Sequence, residues 1–113
     1  MESGEDKQGH AFIDGKSVET TIRAFTEFTR MGVEVGTNGL KGGATGHGSR
    51  TYIRLFDTGG GYNLEFHIKK GKYDNDDLII SAGGDNELQT LAAVFRFVAD
   101  QLDGKIREST DEK

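Results

Sequence analysis

Apolar residues near the C-terminal end of the sequence recur at the spacing of one face of an α-helix. These residues are Leu88, Leu91, Ala92, Phe95, Val98, Ala99 and Leu102. Separations of three and four residues are typical of an amphipathic helix. Asp85 or Asn86 can cap its N-terminus, and Gly104 is the residue type that often follows the last turn of a helix. The pattern predicts a long C-terminal helix over residues 86–103.

Apolar and polar residues alternate in three segments before this helix, which predicts β-strands over 51–57, 62–69 and 78–82. The first two strands are separated by Thr58 and three glycines, a sequence that suits a hairpin loop. Since the connections are too short for crossovers, we expect the three strands to form an antiparallel meander.

The segment 17–31 fits two structures. Its apolar residues at 18, 22, 25 and 28 follow a helical stripe, with Ser17 as N-cap and Gly32 as terminator. Its even positions also alternate with mostly polar neighbours, and Ile13–Lys16 has the sequence of a hairpin turn, which favours a strand. We favour a helix over 17–31, because Gly32 leads directly into the strand-like residues 33–35. The strand alternative stays open.

Together these elements predict an α+β fold: an antiparallel sheet of three to four strands, with the C-terminal helix and the helix 17–31 packed on one face. A chain of 113 residues is expected to form a single domain, here over residues 9–104. The polar ends, 1–8 and 105–113, show no periodicity and are predicted to be disordered tails.

Composition narrows the location and the class of protein. No apolar run approaches the ~20 residues of a membrane helix. The first ten residues do not resemble a signal peptide. We therefore expect no membrane association and a cytoplasmic location. The sequence has no Cys, which excludes disulfides, thiol nucleophiles and cysteine zinc sites.

Motifs of catalytic and metal sites are missing from the sequence. The glycine-rich segment 36–49 lacks the Lys-Ser/Thr pair and the following helix of a phosphate loop. The acidic run 74–77 lacks the glycine and glutamate of a calcium loop. The histidines at 10, 47 and 67 have no zinc-binding spacing, and no serine lies in a GxSxG motif. We predict a non-enzymatic protein without metal or cofactor. Whether the loop 36–49 closes over an anion or is only flexible stays open.

Charge is distributed unevenly along the chain. The net charge is −5, yet residues 41–73 hold six Lys and Arg against two carboxylates. If Ile53 and Leu55 pack under the helix, the opposite strand face presents aromatic and basic residues, which single-stranded nucleic acid uses for stacking and phosphate contacts. The candidate binding face consists of Tyr52, Arg54, Phe56, His67 and Lys69. The candidate rim consists of Lys41, Arg50, Lys70 and Lys72.

The order of strands 51–57, 62–69 and 78–82 and helix 86–103 resembles the units of Pur-type and transcriptional-coactivator-type single-stranded nucleic-acid-binding domains. With a helix at 17–31, the order is also similar to double-stranded-RNA-binding domains. The Lys-Lys helix start of that family is replaced here by the acidic run 84–87. Since the resemblance rests on layout alone, it assigns neither family nor function.

Two functions follow from these observations. The first is a small protein–protein interaction module, such as an inhibitor, immunity or accessory protein, whose acidic segment 74–113 meets a protein partner. The alternative is a single-stranded DNA or RNA-binding domain that uses the face defined above. Val94 and Phe97 lie off the main helix stripe and are candidates for a homodimer contact.

Overall fold

A computed structural model describes residues 6–26, 30–42, 48–59 and 64–111. The elements in chain order are β1 (Lys7–Ile13), β2 (Lys16–Phe25), β3 (Met31–Thr37), β4 (Thr51–Phe56), β5 (Leu64–Lys70), β6 (Asp76–Ala82) and α1 (Asp85–Asp111). Strands β1 to β4 form an antiparallel sheet in sequential order, and β5 pairs with β6 in a separate two-stranded sheet. The fold class is α+β, as predicted.

The favoured helix over 17–31 is wrong, because β2 occupies residues 16–25. Asp14 and Gly15 both have positive φ angles, 52° and 78°, which is the backbone of a two-residue hairpin turn. This turn folds β2 back onto β1 in register, with Ala11 opposite Val18. The strand alternative is therefore confirmed for 17–25. The rest of the helix prediction falls partly on residues 27–29, which lie outside the described residues.

The meander predicted for the three later strands is only partly present. Strand β4 pairs with β3, where Val33 lies opposite Leu55, and the described residues show no pairing of β4 with β5. The hairpin expected between 51–57 and 62–69 is therefore absent from the described parts of these two segments. The hairpin of β5 and β6 does, with Phe66 opposite Ile80. Strand β6 begins at Asp76, two residues before the start predicted for the third strand at 78.

Helix α1 packs on one face of the four-stranded sheet. The core joins Met31, Val33 and Val35 of the central strand β3 to helix residues that lie on the same face of α1. Those helix residues are Ala93, Val94, Phe97 and Val98. Leu64 of β5 completes the core, and Phe66 and Ile80 pack at its border, so the base of the second sheet is anchored there.

The helix is longer than the sequence pattern predicted, since it continues through Gly104 to Asp111. Its last turns contact the loop after β3. The amide of Leu40 donates a hydrogen bond to the Ser109 hydroxyl (3.0 Å), and this hydroxyl donates to the Lys105 carbonyl (2.9 Å). The segment 105–111, predicted as a disordered tail, is thus helical, and β1 begins at Lys7, inside the segment 1–8.

The sheet is curled away from α1. Strands β1 and β4 are its two edges, yet Asp14 of the β1–β2 turn lies 3.2 Å from the Arg50 guanidinium just before β4. Val18 and Thr20 are buried on the face opposite α1, which agrees with a concave surface there.

In the part of the chain that is described, no helix is both long and apolar enough to cross a membrane.

Candidate binding surfaces

The strand β4 residues of the predicted binding face do share one surface. Tyr52, Arg54 and Phe56 lie opposite Gly36, Glu34 and Gly32 of β3, on the sheet face away from α1. The Arg54 guanidinium lies 4.2 Å from the centre of the Phe56 ring. This ring covers Gly32 so closely that a β-carbon at position 32 would collide with it.

Arg54 is held by a buried carboxylate that the sequence analysis did not identify. Glu34 is only 6% exposed. Its Oε1 accepts a hydrogen bond from Nε of Arg54 at 3.0 Å and lies 2.9 Å from Nη2 in the same ion pair, and its Oε2 accepts a hydrogen bond from the Thr20 hydroxyl at 2.6 Å. A buried carboxylate with these partners is fully engaged. Arg54 thus serves mainly to neutralise Glu34.

The sequence contained a signal for this network. Glu34 lies between Val33 and Val35 in a strand, so its side chain is on the opposite face from theirs, away from the helix. Glycines at positions 32 and 36 lie on the same sheet face as Glu34. Two glycines beside a charged residue in a central strand leave room for neighbouring side chains to close over it.

His67 and Lys69 do not join the β4 residues in one sheet. They lie on β5, on the face that also carries Glu65, and the His67 Nε2 is 3.0 Å from the Glu65 carboxylate. Lys69 stands directly opposite Asp77 of β6. The candidate binding face is therefore divided between two sheets that are not hydrogen-bonded to each other in the described residues.

The rim residues are also divided. Arg50 pairs with Asp14 before β4, and its backbone closes the base of the glycine-rich loop through two hydrogen bonds with Asn38 (2.7 and 3.1 Å). Lys41 is exposed in the same loop, three residues after Asn38. Residues 43–47, including His47, lie outside the described residues. Lys70 is the last residue of β5, and Lys72 lies in the turn that follows it.

The two helix residues considered for a dimer contact are in the core. Val94 is completely buried, and Phe97 is 7% exposed and meets the Phe25 ring edge-on at a centroid distance of 5.9 Å. Arg23 lies over the Phe97 ring at 4.1 Å. Since side chains of the same chain already cover both residues, they are not available to a second copy.

The distal part of the second sheet is almost entirely exposed. We call residues 67–78 the arm. Every residue in it is exposed except Gly71, which is half-buried. The apolar row that starts in the core with Leu64 and Phe66 continues into the arm as Ile68, opposite Leu78. These two side chains are 71% and 64% exposed.

The overall dimensions agree with a projecting arm. The radius of gyration is 15.8 Å, whereas a compact chain of this length has about 13 Å. Lys69 faces Asp77 and Lys70 faces Asp76 across the arm, and the Lys70 ammonium lies 3.8 Å from Asp74. Lysines and aspartates are therefore neighbours along the arm, and the apolar side chains lie among charges of both signs.

Cavities and metal-binding groups give no further site in the described residues. Two cavities between α1 and the sheet measure about 170 and 220 Å³, below the ~300–1,000 Å³ of typical small-molecule sites. No group of three His, Asp or Glu side chains within the described ranges could hold a metal ion.

Comparison with known protein families, curated proteins and solved structures finds no match. Function must therefore be inferred from the residues and surfaces of the chain itself.

Proposed function

We propose that the protein is a non-enzymatic protein–protein interaction module whose arm contacts the partner. The observation that carries this proposal is the exposed pair Ile68 and Leu78, which continues the apolar row of the core beyond the body of the protein. Apolar side chains paired on a projecting element are typical of surfaces that a partner covers.

The stability of isolated sheets supports the same proposal. A two-stranded hairpin is marginal in water unless a third strand or another element covers one of its faces. The core covers the base of this hairpin at Leu64 and Phe66, but the pair Ile68–Leu78 lies beyond that cover. A partner that packs on the arm would extend the apolar contact to its end.

The charge of the arm favours a protein partner over nucleic acid. Its three lysines, at 69, 70 and 72, are matched by three aspartates, at 74, 76 and 77. Phosphate backbones require uncompensated cations, whereas an apolar centre with a rim of both signs is the usual composition of a protein interface. Tyr73, exposed at the end of the arm with Lys72 5.5 Å from its ring centre, adds an aromatic residue to this surface.

Single-stranded nucleic acid is the second candidate, and the observation in its favour is the aromatic and basic surface of β4. It ranks lower because Arg54 already neutralises Glu34. We further propose a cytoplasmic location, for which the absence of Cys from the sequence is the supporting feature.

The test is binding by variants of the arm. We expect Ile68→Ser with Leu78→Ser to weaken binding of the purified physiological partner, identified by affinity capture from the native host, at least about 100-fold. Phe12→Ser is the matched control, because Phe12 is an equally exposed apolar residue on β1, and it should leave affinity unchanged.

Two outcomes would contradict the proposal. One is a double variant that binds the partner as tightly as the wild type. The other is binding to single-stranded DNA or RNA that weakens steeply with salt and is lost in Tyr52→Ala while the arm variant retains it, which would establish the nucleic-acid alternative.

A further inference from the structure

Helix α1 carries a second, largely exposed apolar surface, which borders its core face at Leu102 and is separate from the arm. We call it the α1 stripe. It consists of Leu88, Ala92, Phe95, Ala99, Leu102 and Ile106. Leu88, Phe95 and Ile106 are 66%, 50% and 40% exposed, both alanines are exposed, and Leu102 is half-buried. The sequence pattern assigned most of these residues to the core, yet α1 buries its neighbouring face instead.

The α1 stripe is one continuous side of the helix. Successive members are separated by four, three, four, three and four residues, so the stripe advances 18 residues in five steps, which is the 3.6-residue period of a straight α-helix. Such a stripe can form the seam between two packed helices. Only one helix, α1, occurs in the described residues, so the described part of one copy supplies no second helix for this seam.

The α1 stripe is complementary to itself in one orientation. If two copies of α1 pair antiparallel about a two-fold axis level with Phe97, Phe95 of one copy faces Ala99 of the other. In the same register Ala92 faces Leu102, and Leu88 faces Ile106. The pairs Phe95–Ala99 and Ala92–Leu102, which form the inner layers of this contact, each combine a large with a small side chain and so fill the space between the helices evenly. A parallel pair would instead place Phe95 against Phe95 and Ala99 against Ala99.

We propose that a second copy of this chain covers the α1 stripe, in an antiparallel two-fold dimer. An isologous interface of this kind requires a self-complementary surface, which the register above supplies. The nineteen residues of the seam extend about 27 Å. At roughly 200 Å² for a fully exposed large side chain, the three exposed fractions provide about 300 Å² of apolar surface per copy.

Both copies together contribute about 600 Å² from these three side chains, and the alanines, Leu102 and the polar flank add to this area. The area from the three large side chains is about half of the ~1,200 Å² at which standard specific interfaces begin, so the contact is small. The flank alternates in sign through Arg96, Asp103 and Arg107, so the two copies do not present a single charge to each other. The dimer is therefore expected to be reversible and to dissociate on dilution.

Sedimentation equilibrium over a concentration series tests this dimer on the full chain. We expect a reversible monomer–dimer equilibrium for the wild type. Phe95→Glu places a carboxylate in an inner layer and should raise the dissociation constant at least about 100-fold. Phe12→Glu, which changes an exposed aromatic residue outside the α1 stripe, should leave it unchanged. Circular dichroism checks that each variant is folded.

The pairing register has its own test. Phe95→Ala should weaken the dimer, and the double variant Phe95→Ala with Ala99→Phe should restore it, because an antiparallel layer then still joins one Phe to one Ala. A monomeric wild type throughout the series, a dimer insensitive to Phe95→Glu, or no restoration by the double variant would overturn the proposal. We expect the arm variants Ile68→Ser and Leu78→Ser to leave this monomer–dimer equilibrium unchanged, so the test of the dimer is independent of the partner proposed for the arm.

Discussion

Replacing Arg54 by Met should destabilise the fold, because it leaves the buried Glu34 side chain without its cation. The substitution keeps most of the side-chain volume but removes the hydrogen bond from Nε to Glu34 Oε1 at 3.0 Å, the ion-pair contact of Nη2 with the same oxygen at 2.9 Å, and the contact with the Phe56 ring. Only the Thr20 hydroxyl then remains on the carboxylate.

The size of the effect follows from burial. Removing one partner of a fully buried ion pair costs about 3–5 kcal/mol. The Arg54 side chain is 45% exposed, so water can reach Glu34 in the variant and offset part of that cost. We expect a loss of about 2 kcal/mol, which lowers the midpoint of urea unfolding by about 1–2 M at a typical slope for a small domain.

Circular dichroism is the suitable probe for this measurement, because the sequence contains no Trp. Lys69→Met is the matched control. It removes an exposed cation whose register partner on β6 is Asp77, and should change stability by less than about 0.5 kcal/mol. In the double variant Arg54→Met with Glu34→Gln, part of the loss should return, since no unpaired charge remains buried. An Arg54→Met protein as stable as the control would refute this role of Arg54.

Two further predictions concern stability. Gly36→Ala should lower the free energy of unfolding by about 3 kcal/mol, because the β-carbon of the alanine would collide with the Glu19 carbonyl and lie 2.8 Å from Thr20 Cγ2. Gly104→Ala, where a β-carbon meets nothing within 4 Å, should stabilise α1 by about 0.5–1 kcal/mol; equal unfolding midpoints for the two variants would contradict this. The Arg23 guanidinium donates hydrogen bonds to Asp6 and holds the pKa of that carboxyl below its usual 3.8. The free energy of unfolding of the wild type should therefore be about 0.5 kcal/mol larger than that of Asp6→Asn at neutral pH, and this difference should disappear as the pH falls through the lowered pKa. A difference that persists in acid would contradict this prediction.

The residues that could be assigned from sequence are those whose neighbours are close along the chain. The Asp14–Gly15 turn was recognised as a hairpin signal, and the structure contains that turn. The helix over 17–31 was nevertheless favoured, since the apolar residues of β2 fit a helical repeat as well as an alternating one. Pairing with β1 on one side and β3 on the other decided the outcome, and neither contact is visible in the local pattern.

The orientation of α1 shows a second limit. Its sequence carries two apolar surfaces, one centred on Val94 and Phe97 and one on Phe95 and Ala99. Periodicity identifies both, but it cannot tell which one the sheet covers. The strand neighbours of β4 were misassigned for a similar reason: the short Thr58–Gly61 segment suggested a hairpin, whereas β3 pairs with β4 across the long glycine-rich loop.

The candidate site was predicted residue by residue but not as an assembly. Tyr52, Arg54 and Phe56 do share the face opposite the helix. His67 and Lys69 belong to another sheet, because the register that would have united them does not form. The exposed pair Ile68–Leu78 depends on how far the core reaches along β5, which only the tertiary packing determines.

The most direct test of the central claim, that the arm binds another protein, is photo-crosslinking in the native host. A photoreactive phenylalanine analogue is placed at position 68 or, as a control, at position 12, and the adducts are identified by mass spectrometry. The account predicts one dominant adduct from position 68 with a different protein, and none with that protein from position 12. Adducts with nucleic acid, adducts only with a second copy of the chain, or equal yields at the two positions would contradict it.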